Sequence, residues 1–347
     1  MGNFNYSVVS IDSLKNGQSL VENGVSMFTE TSWLHFLMLD QKKMTPVMVK
    51  ISKGEHFIGY FYSFLINKYG FKIIGSPFRG WSTCYMGFNL LEGNDPLRIL
   101  PSLKKFLFLK YHCHLIEIVD NSITLDRAIL NNFYALPVGT LLLQIDKSDV
   151  DLFKVFKVDC RNFIRQFEKR GAILKIVPPS DTFATCYYLQ LIDVFAKQKM
   201  IPTYDVEKVK LLLRTVNPEN LLCLQVFLPE SAECIASSIF LGYHDICYFW
   251  GCASLREYQR YRPNEYMIWS AIKYWRDKGF KKLDMIGIRD YKKKFGPYET
   301  SYTRIIIPKY KYLIYIRNFA EKLYFLLCSF KFKLRSLVFK NRKLGYN

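Results

Sequence analysis

Apolar positions along the chain change period again and again, and each change marks an element. Strands are predicted at residues 6–11, 47–51 and 57–66, the last two joined by the turn Lys53-Gly54-Glu55. A short helix at 31–39 lies between the first two, with Thr31 or Ser32 as its cap. Residues 70–88 are rich in glycine and carry Pro77, which predicts strands broken by tight turns. Pro96 then opens an amphipathic helix to about Lys110 with Leu97, Leu100, Leu103, Phe106 and Leu107 on one face. A strand at 115–119 and a loop with weak helix at 120–132 complete this series.

A second series starts with a strand at 140–145. Residues 149–170 read as one charged helix presenting Phe153, Phe156, Cys160, Phe163, Ile164 and Phe167 at helical spacing, stopped by Gly171 before a strand at 172–177. Helices at 182–199 and 206–215 lead to strands at 221–228, 235–242 and 246–253, separated by the turns Pro229-Glu230-Ser231 and Tyr243-His244-Asp245. After the polar loop 254–263 comes a helix at 264–278 with Met267, Ile268, Ala271, Ile272 and Trp275 facing inward. A strand at 282–286, a short helical stretch at 289–295 and a strand at 302–307 follow. The pattern is α/β, with a mixed sheet.

Length and composition narrow this further. A chain of 347 residues is long enough for two domains, read as 1–139 and 140–310 with a tail at 311–347. The net charge of +19 raises the local concentration of phosphates, nucleic acid or anionic lipid without choosing among them. Nine cysteines stand singly with no CxxC pair, which points to reduced cytosolic thiols and away from a disulfide framework or structural zinc. His112, Cys113 and His114 alternate faces and have no partner cluster, so no metal is expected. The first residues lack a basic stretch before an apolar run, and Tyr6 stands where a myristoylation motif wants Ser or Thr. No run of about 18 uncharged apolar residues predicts a membrane-spanning helix.

The chemistry concentrates in YFWGCASLREYQRYRPNEYMIWSAIKYWRDKGFKKLDMIGI and the YKKKFGP that follows. A strand ends in small residues, a helix opens at Pro263-Asn264, a strand reads Asp284-x-x-Gly287, and Tyr291-Lys292-x-x-Phe295-Gly296 comes next. This core resembles the branch of the GNAT superfamily that holds the Fem-type aminoacyltransferases and the N-acyltransferases of polysaccharide gene clusters. CRNFIRQFEKRGAILKIV, with Arg161, Asn162, Arg165 and Gly171, is similar to that branch's first helix and strand. In the first half the likeness is looser, resting on TSWLHF around Trp33 and on GSPFRGWSTCYMG, residues 75–87.

The resemblance implies two tandem GNAT-like domains, the first degenerate, with a site between them. It implies an N-acyltransferase taking an acyl group from acetyl-CoA or another acyl-CoA, with no metal, to an amino sugar or lipid-linked envelope precursor. The runner-up is a Fem-type ligase using aminoacyl-tRNA, and an idle scaffold is the third reading. Physically, two strands that splay apart expose backbone groups for a pantetheine-like arm, and the next helix aims its N–H groups at a diphosphate. Ala253, Ser254 and Asn264 fall beside that ligand. The loop before Asn264 contains no glycine, so Arg256, Arg260 and Arg262 either replace the usual glycine cradle by side-chain contacts or form a solvated basic turn.

Asp284 on its short apolar strand is either a general base with a raised pKa or a cap for the next turn. Tyr291 either protonates a leaving thiolate or packs. Lys292 either contacts a phosphate or carboxylate of the substrate or belongs to a surface run of lysines. Trp250 is assigned to the substrate. Arg79, Trp81 and Tyr85, with Tyr62, combine a cation, aromatic faces and glycine turns suited to a sugar or peptide, or else form a packed hairpin corner. Glu265 needs only the helix dipole to explain it.

After Pro308 the chain turns basic, with Glu321 its sole acid. Ile316, Phe319, Leu323, Leu326, Phe330, Leu334 and Leu337 form an apolar stripe flanked by Arg317, Lys331, Arg335 and Lys340. This is the pattern of an amphipathic helix lying on an anionic membrane surface, or of a helix packed back on the domains. Binding of tRNA by the same charges is the third use. The expected location is cytoplasmic, on the inner face of the membrane.

Overall fold

A computed structural model of the chain describes residues 4–11, 26–41, 43–68, 70–78, 83–197, 200, 202–231, 233–323 and 326. In the first half, β1 (Phe4–Val9), β2 (Thr45–Lys53), β3 (His56–Lys68) and β4 (Phe71–Ser76) pair antiparallel in sequence order, and the short β5 (Gly87–Leu90) branches from β3. The helix α2 (Pro96–Tyr111) then carries the chain to β6 (Leu115–Asp120), which pairs parallel with β4. The second half repeats this theme. Its strands β8 (Ile173–Val177), β9 (Leu221–Phe227), β10 (Cys234–Tyr243) and β11 (Ile246–Ser254) are antiparallel, and α8 (Pro263–Asp277) leads to β12 (Lys282–Asp284), parallel to β11. Both parallel strands end in a fully buried aspartate, Asp120 and Asp284, that accepts the N–H two residues on.

The halves trade strands. β7 (Tyr134–Gln144) leaves the first half to pair with β12, while the last strand, β13 (Tyr298–Pro308), returns to pair with β6 and with β7. One thirteen-stranded sheet results.

Three hydrophobic clusters cover this sheet. Leu100, Leu103 and Leu107 of α2 pack on Ile74, Ile116, Ile118 and Ile305. Met267, Ile272 and Trp275 of α8 pack with Ile164 and Phe167 on the second half. The third cluster spans both halves: Phe28, Trp33, Tyr62 and Tyr85 meet Tyr187, Leu212 and Tyr248. There α1 (Thr31–Asp40) lies against α7 (Val206–Thr215), and Asp40 pairs with Lys208 at 2.9 Å.

Several expectations need correction. The cap of α1 is Glu30, whose carboxylate accepts the Ser32 and Trp33 N–H groups, not Thr31 or Ser32. The single helix expected at 149–170 is two, α4 (Asp149–Val155) and α5 (Val158–Lys169), because Phe156 is extended and the Lys157 N–H leaves helical pairing for the Lys294 carbonyl at 2.8 Å. The weak helix at 120–132 is α3 (Leu125–Leu130), and the long helix after β8 is α6 (Asp181–Lys197). The loop 254–263 contains a 3₁₀ turn at Arg256–Tyr261, β12 ends at Asp284, and β13 begins at Tyr298.

Of the tail, residues 313–323 are helical, and residues 327–347, with Phe330, Lys331, Leu334, Arg335, Leu337 and Lys340, lie outside the described residues. Leu313 is buried, and Arg317 reaches Glu117 on β6 at 2.9 Å. Ile316, Phe319, Leu323 and Leu326 are exposed. No helix among the described residues is long and apolar enough to cross a membrane.

Candidate functional site

The parallel pair β11 and β12 is short. Its register runs from Ile246↔Lys282 to Tyr248↔Asp284, whereas β11 continues to Ser254. After Asp284 the chain turns away through Ile286 (φ 50°) and Gly287 (φ 76°), a left-handed pair in which glycine carries no side-chain penalty. Asp284 fixes that turn by accepting the Ile286 N–H at 2.7 Å, and the Gly287 N–H donates to Thr140 Oγ1 at 3.3 Å. On the other side β11 slips against β10 at Ile239/Phe240, leaving Trp250 as the extra residue of a bulge that bends the strand. The edge of β11 beyond Tyr248 is therefore open towards β12, the splay expected from the sequence.

The 3₁₀ turn Asp290–Phe295 folds back over this opening. Phe295 is fully buried among Phe156 and its neighbours, and Gly296 (φ 70°) passes so close that an added Cβ would lie 2.3 Å from the Val155 carbonyl. That explains the Phe-Gly pair in packing terms. Lys292, placed by this anchor, is buried, and its ammonium donates to the carbonyls of Met285 and, at 2.8 Å, Ile286. It also lies 5.4 Å from the Phe249 ring centre. Burial pulls its pKa down to about 8, against the opposing pull of Asp284. The surface-run reading of Lys292 is thereby corrected: only Lys293 and Lys294 of the run remain for other partners, Glu299 and Glu265. Tyr291 is half exposed beside it, and desolvation raises its phenol pKa.

Asp284 is fully buried. Thr140 donates to its Oδ1 at 2.5 Å and Tyr302 donates to Oδ2. Burial raises its pKa, and these hydrogen bonds work against the rise. The carboxylate thus holds the turn cap that the sequence left as an alternative. Thr140 and Tyr302 in turn line a cavity of about 240 Å³ between the halves, with Phe78, Thr83 and Cys84 from one side and Gly139, Gly287 and Arg304 from the other. Arg304 pairs with buried Glu117 at 3.1 Å. Sequence reading missed Thr140, Tyr302 and Arg304, which sit on strands whose pairing is set far along the chain.

The remaining expected residues divide. Arg262 takes a left-handed conformation as the N-cap of α8, makes no side-chain capping bond, and lays its guanidinium 3.9 Å from the Phe163 ring. Arg256 and Arg260 are exposed at the same end. Asn264 Oδ1 accepts from the Cys252 thiol at 3.2 Å. Ala253 and Ser254 are buried and pair with Ser237 and Ala236. Glu265 is buried on Lys294, which neutralises its charge at the helix start, so the dipole alone does not account for it. Trp250 packs on Tyr187 and Tyr204.

Tyr85 is not a surface platform: it is interior and shares a 2.7 Å hydrogen bond with Tyr248. Arg79 and Trp81 lie outside the described residues. Among the described residues no three His, Cys, Asp or Glu side chains gather as a metal site.

Residues 156–294 match the family described as an acetyltransferase (GNAT) domain. Among solved structures the chain is similar to FemX, with a TM-score of 0.69 at 13% identity over 89% of this chain and 99% of that one. It is also similar to a tandem GNAT protein from the clavulanic acid biosynthesis pathway, with a TM-score of 0.52 at 9% identity over 88% and 98% of the two chains. A third likeness is to L-PGS from Bacillus licheniformis, with a TM-score of 0.53 at 9% identity over 80% and 88%. No curated protein sequence matches. At such identities the structural likeness concerns the fold, and it agrees with the tandem arrangement seen in the sheet.

Proposed function

We propose that this chain, whose residues 156–294 match an acetyltransferase (GNAT) domain and whose fold is similar to that of FemX, transfers an acyl group from an acyl-CoA to an amino group of a sugar or envelope precursor. The observation carrying this reading is the open edge of β11 beyond Tyr248, lying between the uncapped start of α8 and the cavity shared by the halves. The pantetheine arm pairs along that edge, and the N–H groups of Asn264 and Glu265, with Arg256 and Arg260 at the rim, meet the diphosphate. Neutralisation of Glu265 by Lys294 removes the repulsion that an acidic residue at this place would exert. The acceptor amine attacks the thioester carbonyl from the cavity side; the C–N bond forms, the C–S bond breaks and the thiolate leaves. Backbone N–H groups of β11 stabilise the oxyanion. Tyr291 gives a proton to the leaving thiolate and regains one from solvent, to which the acceptor nitrogen loses its own, and Asp284 is a positioning residue for Thr140 and Tyr302.

The test is direct: the full chain is incubated with acetyl-CoA and a panel of amino sugars, free or on a nucleotide, while thiol release and acceptor mass are followed. Thiol release tied to an acylated amine supports the reading; none with any pair sinks it.

A specific observation favours a second donor. The turn before α8 has no glycine, and Arg262 rather than a backbone nest occupies its left-handed position. Aminoacyl-tRNA, bound through phosphate contacts to arginines, suits such an entrance, with a peptidoglycan precursor as acceptor. The exposed stripe Ile316, Phe319, Leu323 and Leu326, beside a tail almost free of acids, supports docking on an anionic membrane where a lipid-linked acceptor would reside.

A further inference from the structure

Two cysteines outside this site, on different elements, approach the same buried side chain, Gln190. Cys186 sits on α6 and Cys234 opens β10, and both are partly exposed. Gln190, one turn after Cys186 and almost fully buried, donates to the Cys234 carbonyl at 2.9 Å and lies 3.5 Å and 3.4 Å from the two sulfurs. Ser237 Oγ is 3.7 Å from the Cys234 sulfur. The neighbouring Cys186 thiol, with Ser237 and Gln190, lowers the Cys234 pKa, and the same proximity raises that of Cys186. By contrast burial pushes Cys113, Cys160, Cys223 and Cys252 up to about 12.

We propose that Cys186 and Cys234 form a reversible dithiol–disulfide pair that closes on reaction with a low-molecular-weight disulfide and staples α6 to β10. The Cys234 thiolate attacks one sulfur of the small disulfide, forming a mixed disulfide and expelling one small thiolate. Cys186, its proton passed to solvent, then attacks the Cys234 sulfur and expels the second. Two cysteine thiols are oxidised, and one small disulfide is reduced to two thiols. The link would matter to the donor side. Tyr187, next to Cys186, lies where a Cβ on Gly251 of β11 would be 2.2 Å from its hydroxyl, and Asp193 accepts the Arg256 N–H at 3.4 Å. A staple on α6 therefore holds the wall of the open β11 edge.

The experiment treats the full chain with oxidised glutathione near neutral pH and maps peptides without reduction. The expected result is a Cys186–Cys234 cross-linked peptide, with the intact protein lighter by two hydrogens and restored by a reductant. Cys186→Ser should instead accumulate one glutathione on Cys234, and Cys234→Ser should react far more slowly. A wild-type chain that stops at the mixed disulfide, or that is modified first at Cys84 or Cys252, overturns the proposal. None of these readouts depends on the substrate.

Discussion

The Tyr302 hydroxyl donates to one carboxylate oxygen of Asp284 while Thr140 donates to the other, so a single buried charge on β12 fixes two hydroxyls in the cavity wall. Removing that acceptor leaves the buried Thr140 hydroxyl and the half-buried Tyr302 hydroxyl and Ile286 N–H without their partner, each costing up to about 1–3 kcal/mol. Asp284→Ala should therefore lower the urea stability by about 3 kcal/mol or more, and Asp284→Asn, which keeps an acceptor for Thr140 and Ile286, by clearly less. Equal losses in the two variants would contradict the positioning role.

Lys292 gives a pH signature. Its native pKa of about 8 lies below that of an exposed lysine. Below pH 8 both states hold the proton and the burial penalty is full. Between about pH 8 and 10.4 the unfolded chain holds a proton the native state has lost, so stability rises with pH by up to about 1.4 kcal/mol per unit. Wild type should gain this relative to Lys292→Met in urea titrations across that range; parallel curves would show that the ammonium is not buried as described.

Gly296 tests the anchor that aims Tyr291 and Lys292. Gly296→Ala meets both a left-handed φ of 70° and the Val155 carbonyl, whereas Gly54→Ala meets a φ of 60° and open space. The first should cost about 2–3 kcal/mol in denaturant melts and the second about 1. Similar costs would remove the close approach as the reason for that glycine.

The tail prediction separates docking from folding. Deleting everything after Pro308 would also strip Arg317 from Glu117 and Leu313 from its burial. Phe319→Glu with Leu323→Glu leaves both in place and puts charge on the exposed stripe. Sedimentation with phosphatidylserine vesicles should fall at least tenfold in this variant; unchanged sedimentation would exclude the described stripe as the membrane contact.

How much of this the sequence discloses depends on where the determining partner lies. Helix α7 is read to the residue, and the strands at 221–254 nearly so, because their periodicity and turns are local. The break between α4 and α5 is invisible, since Phe153, Phe156, Cys160 and Phe167 keep helical phase through it and the cause is a bond from Lys157 to Lys294. Tyr85 reads either as part of a substrate platform or as a packed corner, and Tyr248, the partner from the other half that decides for packing, is out of local reach. The motif Asp284-x-x-Gly287 marks the right turn, but the residues its carboxylate holds, Thr140 and Tyr302, come from strands exchanged between the halves.

The most direct measurement of the central claim is the melting temperature of the purified chain with saturating acetyl-CoA, longer acyl-CoAs and aminoacyl-tRNA in turn. A ligand bound at 100 times its Kd adds about 2.7 kcal/mol, and a domain of this size then melts a few degrees higher. The account predicts such a rise with an acyl-CoA, diminished when Arg256 and Arg260 are both changed to alanine. No rise with any acyl-CoA, whatever charged tRNA does, would contradict the acyl-CoA donor.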